Sequence, residues 1–189
     1  MDNLDYLSET DNVDYEMIDG DIYMMARPTS EHMQIEGNIF HSFKTYLKGK
    51  RCIPMHETDV FFNKSTNVVP DVMIICNPEI IKSRGIFGTP DLIVEIASPS
   101  TVKFDRLKKF ETYEKYGVKE YWIVHPQSKS VEVYLRKDDK LVLDNIYYRY
   151  NDYGEEITEE EKDLIQHEIK VSLYDDFYVK LEDIFEYID

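Results

Sequence analysis

Two acids sit where strands of a buried sheet should be wholly apolar, and they constrain this chain more than any other feature. Glu95 lies in DLIVEIA (91–97), with three apolar residues before it and two after. Asp71 lies in VPDVMIIC (69–76). Both runs are too short for a helix and apolar enough to be buried, so they read as strands. Burying an unpaired carboxylate costs several kcal/mol. A cation, an Arg or Lys partner or a raised pKa would compensate, and only the first two keep the charge. Two carboxylates and water are a hard-oxygen set, for which Mg2+ is the first choice. The bland alternative for each acid alone is a solvent-facing strand end or a structural salt bridge.

The surrounding elements follow from periodicity. YEMIDGDIYMM (15–25) carries Asp19-Gly20 between apolar runs, a hairpin signal. After Pro28-Thr29-Ser30, Ile35, Ile39, Phe43 and Leu47 recur every four residues, which predicts a helix over about 30–48 closed near Gly49. Further strands are expected at 56–62, 121–126, 131–136 and 141–148, with a turn at Asn63-Lys64-Ser65 and a loop with one helical turn over 77–90. A second helix is expected over about 103–116, with Leu107, Phe110 and Tyr113 on one face and Gly117 as its C-cap. The acidic stretch 151–168 reads as loop or short helix, and FYVKL and EDIFEYI as a last strand and short helix. The fold class is α/β (α+β), a mixed central sheet flanked by helices, with an N-terminal hairpin and a C-terminal meander. Residues 1–13 read as an acidic lead-in and 14–189 as one domain.

The helix after Glu95, FDRLKKFETYEKYG, places Asp105 and Lys109 on one face. Either they form a surface pair of little value, or Lys109 turns back toward the two carboxylates to orient or activate a water. Lys108 points a third of a turn away. Charge is divided unevenly. The chain carries a formal −16, yet residues 1–31 and 151–189 are strongly acidic while 32–150 is slightly basic. The middle is therefore free to face a polyanion. Lys103, Arg106 and Lys108 lie nearest the acids and are candidate phosphate contacts, whereas the run KTYLKGKR (44–51) reads as solvated surface.

VVPDVMII, PDLIVEIASPST and FDRLKKFETYEKYGVKEYWIVHP in this order resemble the Uma-type restriction endonuclease family, long catalogued as a domain of unknown function. That family belongs to the PD-(D/E)XK, or restriction-endonuclease-like, superfamily. YEMIDGDIYMM, PTSEHMQI and VKLEDIF extend the likeness over about residues 14 to 186. The resemblance implies a restriction-endonuclease-like mixed sheet and Asp71 and Glu95 as metal ligands. The superfamily lysine normally stands two residues after the second acid. Here that position is Ala97, and in the Uma-type branch the lysine lies on the next helix, at Lys109. Asp59, Glu31 and His32 match further polar positions of the family, with a strand-edge acid and helix capping as their plain alternatives.

The expected activity is Mg2+- or Mn2+-dependent endonucleolytic hydrolysis of DNA, with the main-chain carbonyl of Ile96 as a further metal ligand. Competing readings are an inactive module of the same fold that binds nucleic acid or protein, and a phosphohydrolase acting on a smaller ester. A homodimer is expected from exposed aromatic strands such as NIYYRY. No apolar run reaches the about 18 residues that span a membrane. Cys52 and Cys76 form no CxxC motif, which suggests reduced thiols and a cytoplasmic protein.

Overall fold

The computed structural model describes residues 15–25, 27–98, 105–149 and 166–188. Its strands are β1 (Tyr15–Ile18), β2 (Asp21–Met24), β3 (Ile53–His56), β4 (Val60–Asn63), β5 (Thr66–Val68), β6 (Val72–Ile75), β7 (Ile81–Lys82), β8 (Gly85–Phe87), β9 (Leu92–Ile96), β10 (Glu120–His125), β11 (Ser130–Lys137), β12 (Lys140–Tyr148), β13 (Glu168–Lys170) and β14 (Tyr178–Lys180). The helices are α1 (Ser30–Leu47), α2 (Phe110–Tyr116) and α3 (Leu181–Ile184). A π-helical segment, Asp105–Lys109, leads into α2.

The central sheet runs β12-β11-β10-β9-β6-β3, with β9 and β10 parallel and the other pairs antiparallel. Alternation assigns its two faces. Val72, Ile74, Leu92, Val94, Trp122 and Val124 pack with Ile35, Ile39, Phe43 and Leu47 of α1 and with the C-terminal segment. Met73, Ile75, Ile93, Tyr121 and Ile123 pack on the opposite face with Val60, Val68, Ile86 and Tyr113. Both faces of β6, β9 and β10 are covered, which explains why these strands are apolar apart from the buried acids Glu95 and Glu120. The second sheet, β2-β1-β5-β4-β8-β7, supplies Val60, Val68 and Ile86 to that second face.

Helix α1 begins where Thr29 Oγ1 accepts the His32 N–H at 3.2 Å, and its apolar stripe buries the four residues expected from their spacing. The first hairpin turns on Asp19 and Gly20, both at positive φ (51° and 91°). Gly117 ends α2 in the left-handed conformation at φ 86°. The meander β10-β11-β12 and the C-terminal strand and helix also form.

Four expectations are corrected. The strand expected over 56–62 is two strands in different sheets. Glu57 stands between them at φ 41°, and the chain leaves the central sheet there. The strand expected over 69–76 begins at Val72, after Pro70, which has no N–H to give a ladder. Residues 77–90 are no mere loop: a 3-10 turn, Pro78–Ile80, is followed by the hairpin β7–β8. The two cysteines are joined as a disulfide, Cys52–Cys76, rather than held as free thiols. The β3–β6 register explains this, because one step beyond the Ile53↔Ile75 pair sets the two cysteines opposite each other. The lead-in 1–13, residues 103 and 104 of the second helix and the acidic stretch up to 165 lie outside the described residues. No described helix is long and apolar enough to cross a membrane.

Candidate active site

The acids are brought together by strand register. β6 and β9 pair antiparallel through Val72↔Val94, and one further step sets Asp71 opposite Glu95. At that step the ladder gives way to a side chain, since the Ile96 N–H donates to Asp71 Oδ2 at 2.6 Å. Asp71 Oδ1 accepts from His32 Nε2 at 3.0 Å. His32 lies in the first turn of α1, so the helix start is tied to the end of β6.

Glu95 shares its face with Ile93 and is 3% exposed. Its Oε1 accepts from Lys109 Nζ at 3.0 Å and from the Tyr113 hydroxyl. Lys109 is itself buried, and its ammonium also lies 2.9 Å from Glu16 Oε1. Glu16 Oε1 in turn accepts the Val69 N–H at 2.9 Å, two residues before Asp71. A buried ammonium thus bridges two buried carboxylates, an arrangement that holds charge only because every member has a partner. Lys109 and Tyr113 reach the same carboxylate because residues four apart share a helix face.

The electrostatics follow from these contacts. Burial pulls the His32 imidazole toward the neutral form. The hydrogen bond it donates to Asp71 and the charges of Asp71, Glu36 and Glu57 outweigh burial and raise its pKa above the ordinary 6.5. Burial, reinforced by the Glu95 charge, holds the Tyr113 phenol well above 10.0, so it stays a hydrogen-bond donor.

Asp71 pairs with His32 and Glu95 with Lys109, and the two pairs are joined by the β6–β9 register and by the Ile96 N–H, which follows Glu95 and donates to Asp71. Glu31 is exposed on the first turn of α1, and Asp59 is exposed just before β4, where its carbonyl accepts the Ile86 N–H at 2.8 Å. Lys108 is exposed. Lys103 and the side chain of Arg106 lie outside what the structure describes. In the 44–51 run, the Lys44 ammonium sits 5.3 Å over the Phe40 ring and that of Lys50 4.4 Å over the Tyr46 ring, as surface lysines in cation–π contact.

Sequence reasoning passed over two members. Glu16 shares strand parity with the buried Ile18, so an acid on the apolar side of a hairpin was its signal. Tyr113 stood out only as a core residue, and nothing in its spacing marks the hydroxyl.

Among Glu16, Asp71, Glu95, Lys109 and His32, negative groups outnumber positive ones even when the imidazole is charged. Two of the carboxylates, Asp71 and Glu95, stand on adjacent strands. Such an oxygen-rich, net-negative set suits a hard divalent cation.

A mixed sheet with helices and a second sheet packed on it, carrying acids at facing strand ends and a lysine from the next helix, is a nuclease-like fold. Residues 2–165 match the family described as "Uma2: Putative restriction endonuclease", and the chain belongs to it. The uncharacterized protein slr1290 of Synechocystis sp. (strain ATCC 27184 / PCC 6803 / Kazusa) is 31% identical over 129 residues, which cover 66% of this chain and 67% of that protein. A crystal structure from Anabaena variabilis ATCC 29413, described as a putative nuclease belonging to DUF820, matches with a TM-score of 0.66 at 18% identity. It covers 95% of this chain and 94% of that one, and shares its fold.

Proposed function

We propose that this protein is a divalent-metal-dependent endonuclease that hydrolyses DNA phosphodiester bonds, with Asp71, Glu95 and Lys109 as its catalytic residues and residues 14–189 as the nuclease unit. One observation carries the reading: Lys109, from the helix after the second acid, donates to Glu95 at 3.0 Å and so stands in for the lysine missing at Ala97. Asp71, Glu95 and the Ile96 carbonyl would hold Mg2+ or Mn2+. That ion supplies Lewis-acid polarisation of the phosphoryl oxygen.

The remaining work falls to the chain itself. Lys109 keeps a positive charge beside the scissile phosphate, where it positions the attacking water and stabilises the negative charge that develops on the phosphoryl oxygens. Glu16 and Tyr113 hold Lys109 and Glu95 in that register, and His32 orients Asp71. Water oxygen bonds to phosphorus and gives up a proton to solvent, the bond to the 3′ oxygen breaks, and that oxygen takes a proton from a second water. Lys103, Arg106 and Lys108 contact flanking phosphates, which makes binding salt-dependent and positions the duplex without reading its bases. A homodimer supplies the two centres that cutting both strands requires.

The test is cleavage of supercoiled plasmid with Mg2+ or Mn2+, comparing wild type with Asp71→Asn, Glu95→Gln and Lys109→Ala. Cleavage by wild type that EDTA abolishes and all three variants lose is the expected result. Activity surviving Lys109→Ala would remove the lysine from the chemistry. Wild type that binds DNA without cutting it under any divalent ion would identify a non-catalytic binding module.

A further inference from the structure

A second group of ligating side chains lies beside the site, and the nuclease reading gives it no role. Glu36, His56 and Glu57 each offer one donor atom, and these atoms lie within 4.8 Å of one another. Glu36 follows His32 by one helical turn on α1 and is only 2% exposed. One of its oxygens, Oε1, is 2.6 Å from His56 Nδ1. The other, Oε2, is buried with no hydrogen-bond partner among the described residues. A buried carboxylate oxygen left without a donor is destabilising, and its presence calls for a ligand that would satisfy it.

The other two donors are held by the fold beside Glu36. His56 ends β3, and its ring packs on Phe40 with centroids 4.3 Å apart, which limits its rotation. Glu57 follows at φ 41°, a backbone region that non-glycine residues seldom occupy, and its N–H donates to the Asp71 carbonyl at 3.3 Å. His56 and Glu57 are exposed, so solvent reaches the cluster from one side while Glu36 closes it from the other.

We propose that Glu36, His56 and Glu57 form a transition-metal site of the Zn2+ class, distinct from the Asp71–Glu95 pair. Mg2+ favours an all-oxygen shell, whereas one imidazole nitrogen with two carboxylates suits Zn2+, Co2+ or Mn2+. Ligands about 2.1 Å from a tetrahedral ion stand within roughly 3.5 Å of one another, so small side-chain rotations close this group. The ion replaces the proton shared by His56 Nδ1 and Glu36 Oε1, which is released to solvent, and gives Oε2 a partner. Three protein ligands leave a position for water. The bound ion clips α1 to the turn where the chain leaves the central sheet, next to Asp71.

The test uses the tag-free full chain, stripped with EDTA, dialysed, and titrated with Co2+ and then Zn2+ in the absence of DNA, so it does not depend on nuclease activity. One equivalent of Co2+ is expected to give visible d–d absorption that Zn2+ bleaches, and Zn2+ is expected to raise the melting temperature. His56→Ala and Glu57→Gln, both at exposed positions, should each weaken Co2+ binding by on the order of tenfold or more. Glu95→Gln should keep the spectrum. Wild type without a Co2+ spectrum would overturn the proposal. So would a spectrum that survives both His56→Ala and Glu57→Gln, or one that only Glu95→Gln removes.

Discussion

Lys109 Nζ lies 3.0 Å from Glu95 Oε1, although the two residues come from different elements and are separated by 14 positions. The strand brings a carboxylate into the core, and the following helix returns an ammonium to it, so neither charge is buried alone. Removing one partner of such a pair is far more damaging than removing both. Lys109→Met, which keeps the length and apolar stem, should destabilise the fold by about 3–5 kcal/mol in urea unfolding. The double variant Lys109→Met/Glu95→Gln should recover part of that loss, giving a coupling of about 1–3 kcal/mol. Strict additivity of the two changes would show that the contact carries no energy.

Glu16 reaches the site through its ion pair with Lys109. The same oxygen, Oε1, also accepts the Val69 N–H, so Glu16→Gln keeps a side-chain oxygen for both contacts and removes only the negative charge. The ammonium would then be balanced by Glu95 without the second negative charge of Glu16. Plasmid cleavage should fall roughly 10–100-fold in Glu16→Gln, with DNA affinity unchanged. Tyr113→Phe removes one donor to Glu95 and should cost about 1–2 kcal/mol of stability. An equal loss of DNA affinity in Glu16→Gln would mean that the residue binds substrate instead of positioning the lysine.

The His32–Asp71 contact makes a pH prediction. The folded pKa of His32 is raised above its ordinary 6.5 by Asp71 and the neighbouring acids, against the opposing effect of burial. A raised imidazole pKa contributes stability that is fully present below the unfolded value and is lost as pH rises through the folded one. NMR titration of the His32 ring should therefore show a midpoint above 6.5, and Asp71→Asn should lower it. A midpoint unchanged by that substitution would show that the two side chains do not interact in solution.

Much of this arrangement was legible in the chain. An acid inside an apolar run is visible without any structure, which is how Asp71 and Glu95 stood out, and the next helix offered Lys109. The spacing of Ile35, Ile39, Phe43 and Leu47 gave α1, because burial of one helix face is a local signal. What escaped depends on pairing between distant segments. The Cys52–Cys76 bond follows from the β3–β6 register, and register is not written in either strand alone. Strands of two or three residues, such as β7 and β8, are too short to show a period. Glu16 and Glu36 were hidden for a related reason: each is polar on an otherwise apolar face, and one acid looks like ordinary surface until its partner is placed.

Glu120 is the contrasting case, a buried acid in a strand whose partners leave it no catalytic work. Its Oε1 accepts the Trp122 indole N–H at 2.7 Å, and its Oε2 accepts the Ser172 N–H at 2.7 Å and the Ser172 hydroxyl. These bonds tie β10 to the C-terminal segment that packs against α1, so the role of Glu120 is to fasten that segment. Burial raises its pKa above 4.5, against the lowering effect of the bonds from Ser172 and Trp122. Glu120→Ala should cost about 2–3 kcal/mol, since it strands three donors in the interior. Hydrogen exchange should locate the loss: the Ser172 amide and its neighbours should open faster, while Ile96 and the β9–β10 ladder keep their protection. Plasmid cleavage per folded molecule should stay within about twofold of wild type, because effects at sites without shared partners are largely independent. Loss of cleavage with the fold intact would instead place Glu120 in the proposed nuclease centre, alongside Asp71 and Glu95.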